Sequence, residues 1–374
     1  LKHLKKEWNG ANDWAKQKPL VVELMKMARE RGPGEKMPTV RTICATFGVS
    51  TSTLDPVLSE LEVQGIITRL HGSGIFVAAT VHQKKIAVVF GDDIFATIFS
   101  PFWISLLRET RAQAFVRSSL GIKLYMDISQ GHDGLRGRQD LISDLEAQRL
   151  QGILLLAPKS DRDEVAELSG FGVPLVTMSR SKASKGWTIG LDRAPVFSLA
   201  TRELVARGCQ RIALLGQVTE ADNETFRGAL KVSGYTGAEV EEWSPFRWPE
   251  QWKGLFSLEL FAAWLAKRKI EARGLVPFPD GLVSLDDTMT RGVISEIHQA
   301  GLQIGRDIHI VTTVNKGSPV LELYANQLLQ IEYDPACIVK GALDMLENLM
   351  NGVTPCDNPV LIAPSLQRPI TATL

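Results

Sequence analysis

The stretch GVSTSTLDPVLSELEVQGIITRLHGSGIFVA, residues 48–78, decides how the first part of the chain is read. Gly48 closes one helical pattern, and Ser50 and Thr51 offer side-chain oxygens that can cap the next. Leu54, Leu58 and Leu61 then recur at helical spacing and share one face. Two short apolar runs follow, GIITRL and IFVAA, joined across HGSG, where glycine permits a tight reversal. Upstream, Leu20, Leu24 and Met27 mark an earlier amphipathic helix stopped at RGPGEK, and VRTICATFG is a second, shorter one. The pattern is three helices closed by a small two-stranded hairpin.

Such a trio with a β-wing is a winged helix-turn-helix pattern, expected over residues 1–78. A short polar connector is expected at 79–84. From residue 85 the pattern changes to apolar strands such as IAVVF, GILLLAP, RIALLG and IHIVTTV, alternating with amphipathic helices such as VFSLATRELVARG. Buried strands alternating with helices predict parallel sheets covered on both faces, an α/β class. Residues 85–374 are long for one sheet and predict two lobes: the first about 85–190 and 318–353, the second about 191–317 and 354–374. Ligands of open α/β sheets bind at the carboxyl ends of the strands, so a site is expected there.

Composition narrows the classes. Hydrophobic residues make up 44% and charged residues 22% of 374, as in globular proteins. No apolar run reaches the ~20 residues that span a bilayer, so no membrane partner is expected. The opening LKHLKKEWNGANDWAKQKP lacks the apolar core of a secretory signal, which predicts a cytoplasmic protein. Cys44, Cys209, Cys337 and Cys356 are scattered without metal-type spacing, and neither a metal nor a cofactor is expected. Net charge is zero, but residues 1–80 hold 11 Lys and Arg against 8 Asp and Glu. A mildly basic head is compatible with phosphate contact without demonstrating it.

The run MPTVRTICATFGVSTSTLDPVLSELEVQGIITRLHGSGIFVA resembles the DNA-binding domain of the GntR family. The resemblance rests on Pro-Thr-x-Arg at its start, Gly-Val-Ser before the third helix, and Gly-x-Gly-x-Phe-Val in the wing. The remainder resembles LacI/GalR-type sensor domains, relatives of type I periplasmic sugar-binding proteins. The segments that carry this are VPLVTMSR, GLDRAPVFSLATRELVARGCQRIALLG, GLVSLDDTMTRGVISEIHQAGLQIGRDIHIV and LIAPSLQRPITATL. The combination is similar to the arabinose-responsive subgroup of GntR regulators.

The first resemblance implies DNA-facing positions at Arg41, Ser50, Thr51, Thr53, Asp55, His71 and Gly72. Arg41 would hold a phosphate or a base edge, Ser50 and Thr53 would reach phosphates, and His71-Gly72 would enter the minor groove. His71 can equally be a polar turn residue. Thr51 and Asp55 replace basic residues common in relatives. A carboxylate at Asp55 is repelled by phosphate yet can accept from cytosine N4, so an operator unlike the family's usual one is expected.

The second resemblance implies ligand contacts at Phe102, Trp103, Ser179, Arg180, Arg193, Asp222, Trp248, Asp286, Asn315 and Tyr333. Several replace the family's usual groups: Ser179 stands for Asp, Arg193 for Asn, Asp222 for Arg, and Tyr333 for a frequent Gln. The late Asp of the family falls at Val314, with Asn315 beside it. The loop EEWSPFRWPEQWKG adds Trp243, Phe246, Trp248 and Trp252, which can form a carbohydrate platform or pack between lobes. Arg180 and Arg193 together predict an acidic or modified sugar over a plain pentose.

The expected function is a regulator, in the repressor sense, that binds double-stranded operator DNA as a homodimer under control of a sugar-like effector. The alternatives are an α/β enzyme acting on carbohydrate and a regulator whose sensor no longer binds sugar. Against catalysis, the chain has no Gly-x-Gly-x-x-Gly after its first strand, no phosphate-binding Gly-Lys-Ser/Thr loop and no Gly-x-Ser-x-Gly elbow. Asp286-Asp287 could be read as a catalytic pair, but neighbours at a strand end are expected to face opposite ways.

Overall fold

The computed structural model describes residues 10–90, 101–126, 136–156, 164–178, 186–238, 240–243, 257–275, 277–364 and 366–368. Helices α1 (Gly10–Arg31), α2 (Val40–Phe47) and α3 (Thr51–Val63) precede a hairpin of β1 (Ile67–Leu70) and β2 (Gly74–Val77). Local capping sets the helix ends: Thr39 accepts from the Thr42 amide to open α2, and Ser50 from the Thr53 amide to open α3. Between them Gly48 takes the left-handed conformation, φ 64°, that turns the chain between the two helices. Leu24, Ile43, Leu54, Val57 and Leu61 are each exposed by 1% or less and share one core with Ile67 and Val77.

The stretch expected as a polar connector at 79–84 is packed instead. Val81 is fully buried in the same core, and the Thr80 hydroxyl donates to the Gly65 carbonyl at 2.7 Å. A buried valine and a hydroxyl bond together tie the run to the core. The described residues up to Ile86 form a compact unit with Val116–Lys123 and Asp144–Gln151.

The rest of the chain forms a second unit. The elements that follow the hairpin along the chain are β3 (Lys84–Phe90), α4 (Pro101–Val116), β4 (Leu120–Met126), α5 (Arg136–Glu146), β5 (Gly152–Leu156), α6 (Glu164–Ser169), β6 (Leu175–Met178) and β7 (Trp187–Leu191). They continue with α7 (Ala194–Ala206), β8 (Ile212–Leu215), α8 (Glu220–Val232), β9 (Glu241–Trp243), α9 (Leu258–Glu271), β10 (Gly281–Ser284) and α10 (Asp287–Gln299). The last are β11 (His309–Asn315), β12 (Leu329–Tyr333), α11 (Pro335–Met350), β13 (Val360–Ile362) and β14 (Leu366–Arg368).

The strands make two six-stranded sheets, ordered β13-β7-β6-β5-β3-β4 and β14-β12-β11-β10-β8-β9. From β13 to β5, and from β12 to β9, neighbours run parallel; β14 joins β12 antiparallel. This is the expected α/β architecture with a winged helix at the front. The expected lobe boundaries are corrected near the C-terminus. β12 belongs to the second sheet, α11 packs on β5, β6 and β7 of the first, β13 joins the first, and β14 returns to the second. All five residues of β12 are buried, so it needs covered faces on both sides, but apolar content alone does not say which sheet supplies them.

Candidate DNA-reading face and sensor site

The exposed face of α3 begins with Thr51 and Ser52 and continues through Asp55 and Pro56. Arg41 on α2 is exposed and makes no hydrogen bond or ion pair among the described residues, and His71 and Gly72 stand exposed at the wing tip. The Ser50 hydroxyl is already occupied as the cap: it accepts from the Thr53 amide at 3.2 Å and lies 2.9 Å from the Thr53 hydroxyl. Any phosphate contact by Ser50 or Thr53 therefore competes with helix capping.

Asp55 is not the free carboxylate that its position suggested. Arg69 of β1 donates Nη1 to Asp55 Oδ1 at 2.8 Å, Nε to Glu62 Oε2 at 2.9 Å and Nη2 to the Ser59 hydroxyl at 3.0 Å. Hydrogen bonds from the Arg69 amide and side chain hold the Glu62 carboxyl below its usual range, and the bond to Glu62 raises Arg69. Arg69 was missed at the level of sequence. Its signal was the period of two along β1, which sets Arg69 on the same face as buried Ile67.

In the sensor, four expected ligand residues come together where strands end. Arg193, between β7 and α7, donates Nη1 to Asp222 Oδ2 at 2.9 Å and to the Gln217 carbonyl at 2.9 Å. Asp222, in the first turn of α8, also accepts from the Thr219 amide at 2.8 Å and the Thr219 hydroxyl at 2.9 Å, completing a capping box. Tyr333 ends β12 and donates its hydroxyl to the Asp192 carbonyl at 2.5 Å. Burial lowers the Arg193 pKa, while the charges of Asp222, Tyr333 and Asp286 oppose that change. The two groups expected to be free for a ligand thus satisfy each other as an ion pair. Asn315 ends β11 and borders a small cavity of about 180 Å³ also lined by Ser318, Gln330 and Glu332.

Asp286 and Asp287 are not strand-end neighbours. β10 stops at Ser284; Asp286 caps α10 by accepting from the Met289 amide at 2.8 Å, and Asp287 opens the helix. Asp287 is 3% exposed and accepts from the Ser318 hydroxyl at 2.7 Å. Burial, and next the Asp286 charge, push its carboxyl up from 3.8 to about 6. A folded pKa above the unfolded one gives stability that is complete below the unfolded value and lost as pH rises through the folded one. Asp287 therefore costs about 2–3 kcal/mol at neutral pH relative to acid. Asp287→Asn, which keeps an acceptor for Ser318, is expected to stabilise the protein at pH 7.5 and to leave it nearly unchanged at pH 4. Urea unfolding at both pH values checks this; the same shift at each would refute the linkage.

The aromatic residues divide. Phe102 and Trp103 lie in the first turn of α4 with ring centroids 5.0 Å apart. Trp243 does not form a platform: it is 1% exposed in β9, packed in the core of the second sheet 6.1 Å from the Phe278 ring. Ser179, Arg180, Phe246, Trp248 and Trp252 lie outside the described residues.

Comparison with known proteins places these features. Residues 27–77 match the model of bacterial regulatory proteins of the gntR family, and residues 201–368 match a periplasmic binding protein-like domain. The HTH-type transcriptional repressor PurR of Actinobacillus pleuropneumoniae is 22% identical over 333 residues, covering 83% of this chain and 90% of the relative. The arabinose metabolism transcriptional repressor of Geobacillus stearothermophilus is 24% identical over 294 residues, covering 75% and 76%. A LacI family transcriptional regulator from Arthrobacter, solved in complex with lactose, superposes with a TM-score of 0.57 at 17% identity, covering 76% of this chain and 98% of that one. The chain therefore joins a regulatory domain of the gntR family to a periplasmic binding protein-like domain with the fold of LacI-type regulators.

Proposed function

We propose that this protein is a transcriptional repressor of the cytoplasm that binds operator DNA through α3 and the wing, under control of a sugar or sugar derivative bound by the sensor. One observation carries the reading: the gntR match falls on a folded winged helix whose Thr51–Asp55 face, wing tip and Arg41 are all exposed. In the sensor, Phe102 and Trp103 offer aromatic rings, and Asp222 and Tyr333, each bonded within the chain, would exchange those bonds for a ligand's hydroxyls. Because Arg193 is neutralised by Asp222, the case for an acidic sugar loses one of its two cations, and a neutral sugar fits better. The protein acts by binding and not by turnover. It works as a homodimer: α4 exposes Phe115 at 93% and Ile104 at 42%, apolar surface that a second copy would cover.

The test is selection of binding sites from a randomised duplex pool, followed by titration of the selected site in rising salt. The expected motif is two-fold symmetric with half-sites about one helical turn apart. Arg41→Ala is expected to weaken binding to all sequences and to reduce the salt slope by about one unit. Thermal shift against neutral and acidic sugars then identifies the effector class. Failure to retain any duplex at low salt would falsify the DNA-binding reading.

A further inference from the structure

The described side chains on the exposed face of α3 include no cation at all, which is unusual for a helix expected to lie against phosphates. A cation reaches that face instead from the wing. Asp55, Ser59 and Glu62 stand at i, i+4 and i+7, one stripe of α3, and all three bind the guanidinium of Arg69. The hold is reinforced by the Arg69 amide, which donates to Glu62 Oε1 at 3.0 Å. Arg69 is thus fixed from both its backbone and its side chain, and it takes Asp55 by one oxygen only, Oδ1.

Three consequences follow from that geometry. The Asp55 side chain is still 68% exposed while that of Arg69 is 35% exposed, so the outermost group of the pair is the carboxylate. Oδ1 is anchored, which leaves Oδ2 oriented and open to an incoming donor. The adjacent guanidinium offsets much of the repulsion between this carboxylate and DNA phosphates, which would otherwise oppose close approach. In the major groove the bases offer hydrogen-bond donors only as exocyclic amines, and a carboxylate is suited to cytosine N4. Guanine presents only acceptors there and repels it.

Resting on the DNA-binding reading above, we propose that Asp55 and Arg69 act as one reading unit, in which Asp55 Oδ2 accepts from the N4 amine of cytosine and Arg69 is the positioning residue. Arg69 is assigned the positioning role because three of its five N–H donors, one on each nitrogen, are already given to α3 and its side chain is the less exposed of the pair. The chain thereby selects cytosine on the strand that faces Asp55, where a basic residue at that position would select guanine.

The experiment is binding-site selection with the full chain as wild type, Asp55→Ala and Arg69→Met, with thermal melting to establish that each variant folds. Wild type is expected to show cytosine at one position of each half-site. Asp55→Ala is expected to lose discrimination at that position alone, by about five- to fiftyfold, with the other positions unchanged. Arg69→Met is expected to prefer cytosine by a smaller margin and to bind every sequence more weakly, with the general deficit shrinking as salt rises and screens the bare carboxylates. An unchanged motif in Asp55→Ala, or loss of a guanine preference in Arg69→Met, would overturn the assignment while leaving the protein a DNA-binding regulator. Absence of any motif in wild type would overturn both readings together.

Discussion

Arg149→Ala is expected to destabilise the winged-helix unit by about 3 kcal/mol, the lower end of the ~3–5 kcal/mol seen when one partner of a buried ion pair is removed. Glu60 projects from α3 on the side opposite the exposed Asp55 face, and its side chain is only 8% exposed. Arg149 grips it with two bonds, Nε to Oε1 at 2.6 Å and Nη2 to Oε2 at 2.5 Å, and donates Nη1 to Asp144 Oδ1 at 2.9 Å. Gln64 adds a bond to Glu60 at 2.8 Å, and Lys123 pairs with Asp144. Burial by itself would raise the Glu60 carboxyl, but the bonds from Arg149 and Gln64 outweigh it and hold the group below its usual range. Wild type thus keeps this contribution above the unfolded carboxylate value and loses it as pH falls below.

Without Arg149 the sign reverses. Glu60 is left as a buried carboxylate beside the Asp144 charge, its pKa rises, and the variant is worst at neutral pH and partly recovers in acid. The loss is read by calorimetry as early melting of the unit that contains α3, and by weaker DNA binding, because the anchored face of the recognition helix is released. Glu60→Gln, which keeps one acceptor oxygen and discharges the site, is expected to be milder than Arg149→Ala. A variant that melts with wild type at pH 7 and binds DNA equally well would show that this network does not hold α3.

Asp222→Ala is expected to cost about 3–4 kcal/mol. The carboxylate closes a capping box at the start of α8, worth about 1 kcal/mol, and neutralises a guanidinium whose side chain is only 14% exposed. The two losses share one group, so they do not simply add. Asp222→Asn retains an oxygen for Thr219 or Arg193 and is expected to lose roughly half as much. Because Asp222 lies outside the winged-helix unit, DNA affinity at a temperature where the variant is folded is expected to stay within about twofold of wild type. Urea unfolding and binding measured together decide it: an unchanged midpoint would mean that Arg193 finds water or another acceptor when Asp222 is absent.

Neighbours along the chain encode the local elements. Thr39, Ser50 and Thr219 cap helices because the amides that donate to their hydroxyls lie three residues on, and Leu54, Leu58 and Leu61 face inward because helical period sets them on one side. The turn at His71-Gly72 and the apolar strands follow from the same local rules, so the winged helix and the α/β class were both legible. Which distant groups meet is set by packing of the whole chain. Arg69 reaches Asp55 across fourteen residues, Arg193 reaches Asp222 across twenty-nine, and Arg149 reaches Glu60 across eighty-nine. Each of these charges reads in sequence as a free surface or ligand-facing group, because an ion pair depends on backbone placement that no local pattern specifies. The same reason governs β12, β13 and β14, whose apolar content calls for a sheet but is indifferent to which one, and Val81, whose burial depends on a core assembled by helices far upstream. Chemistry along the chain chose the elements; long-range packing chose their partners, and with them which carboxylates and guanidiniums are left open to DNA or ligand.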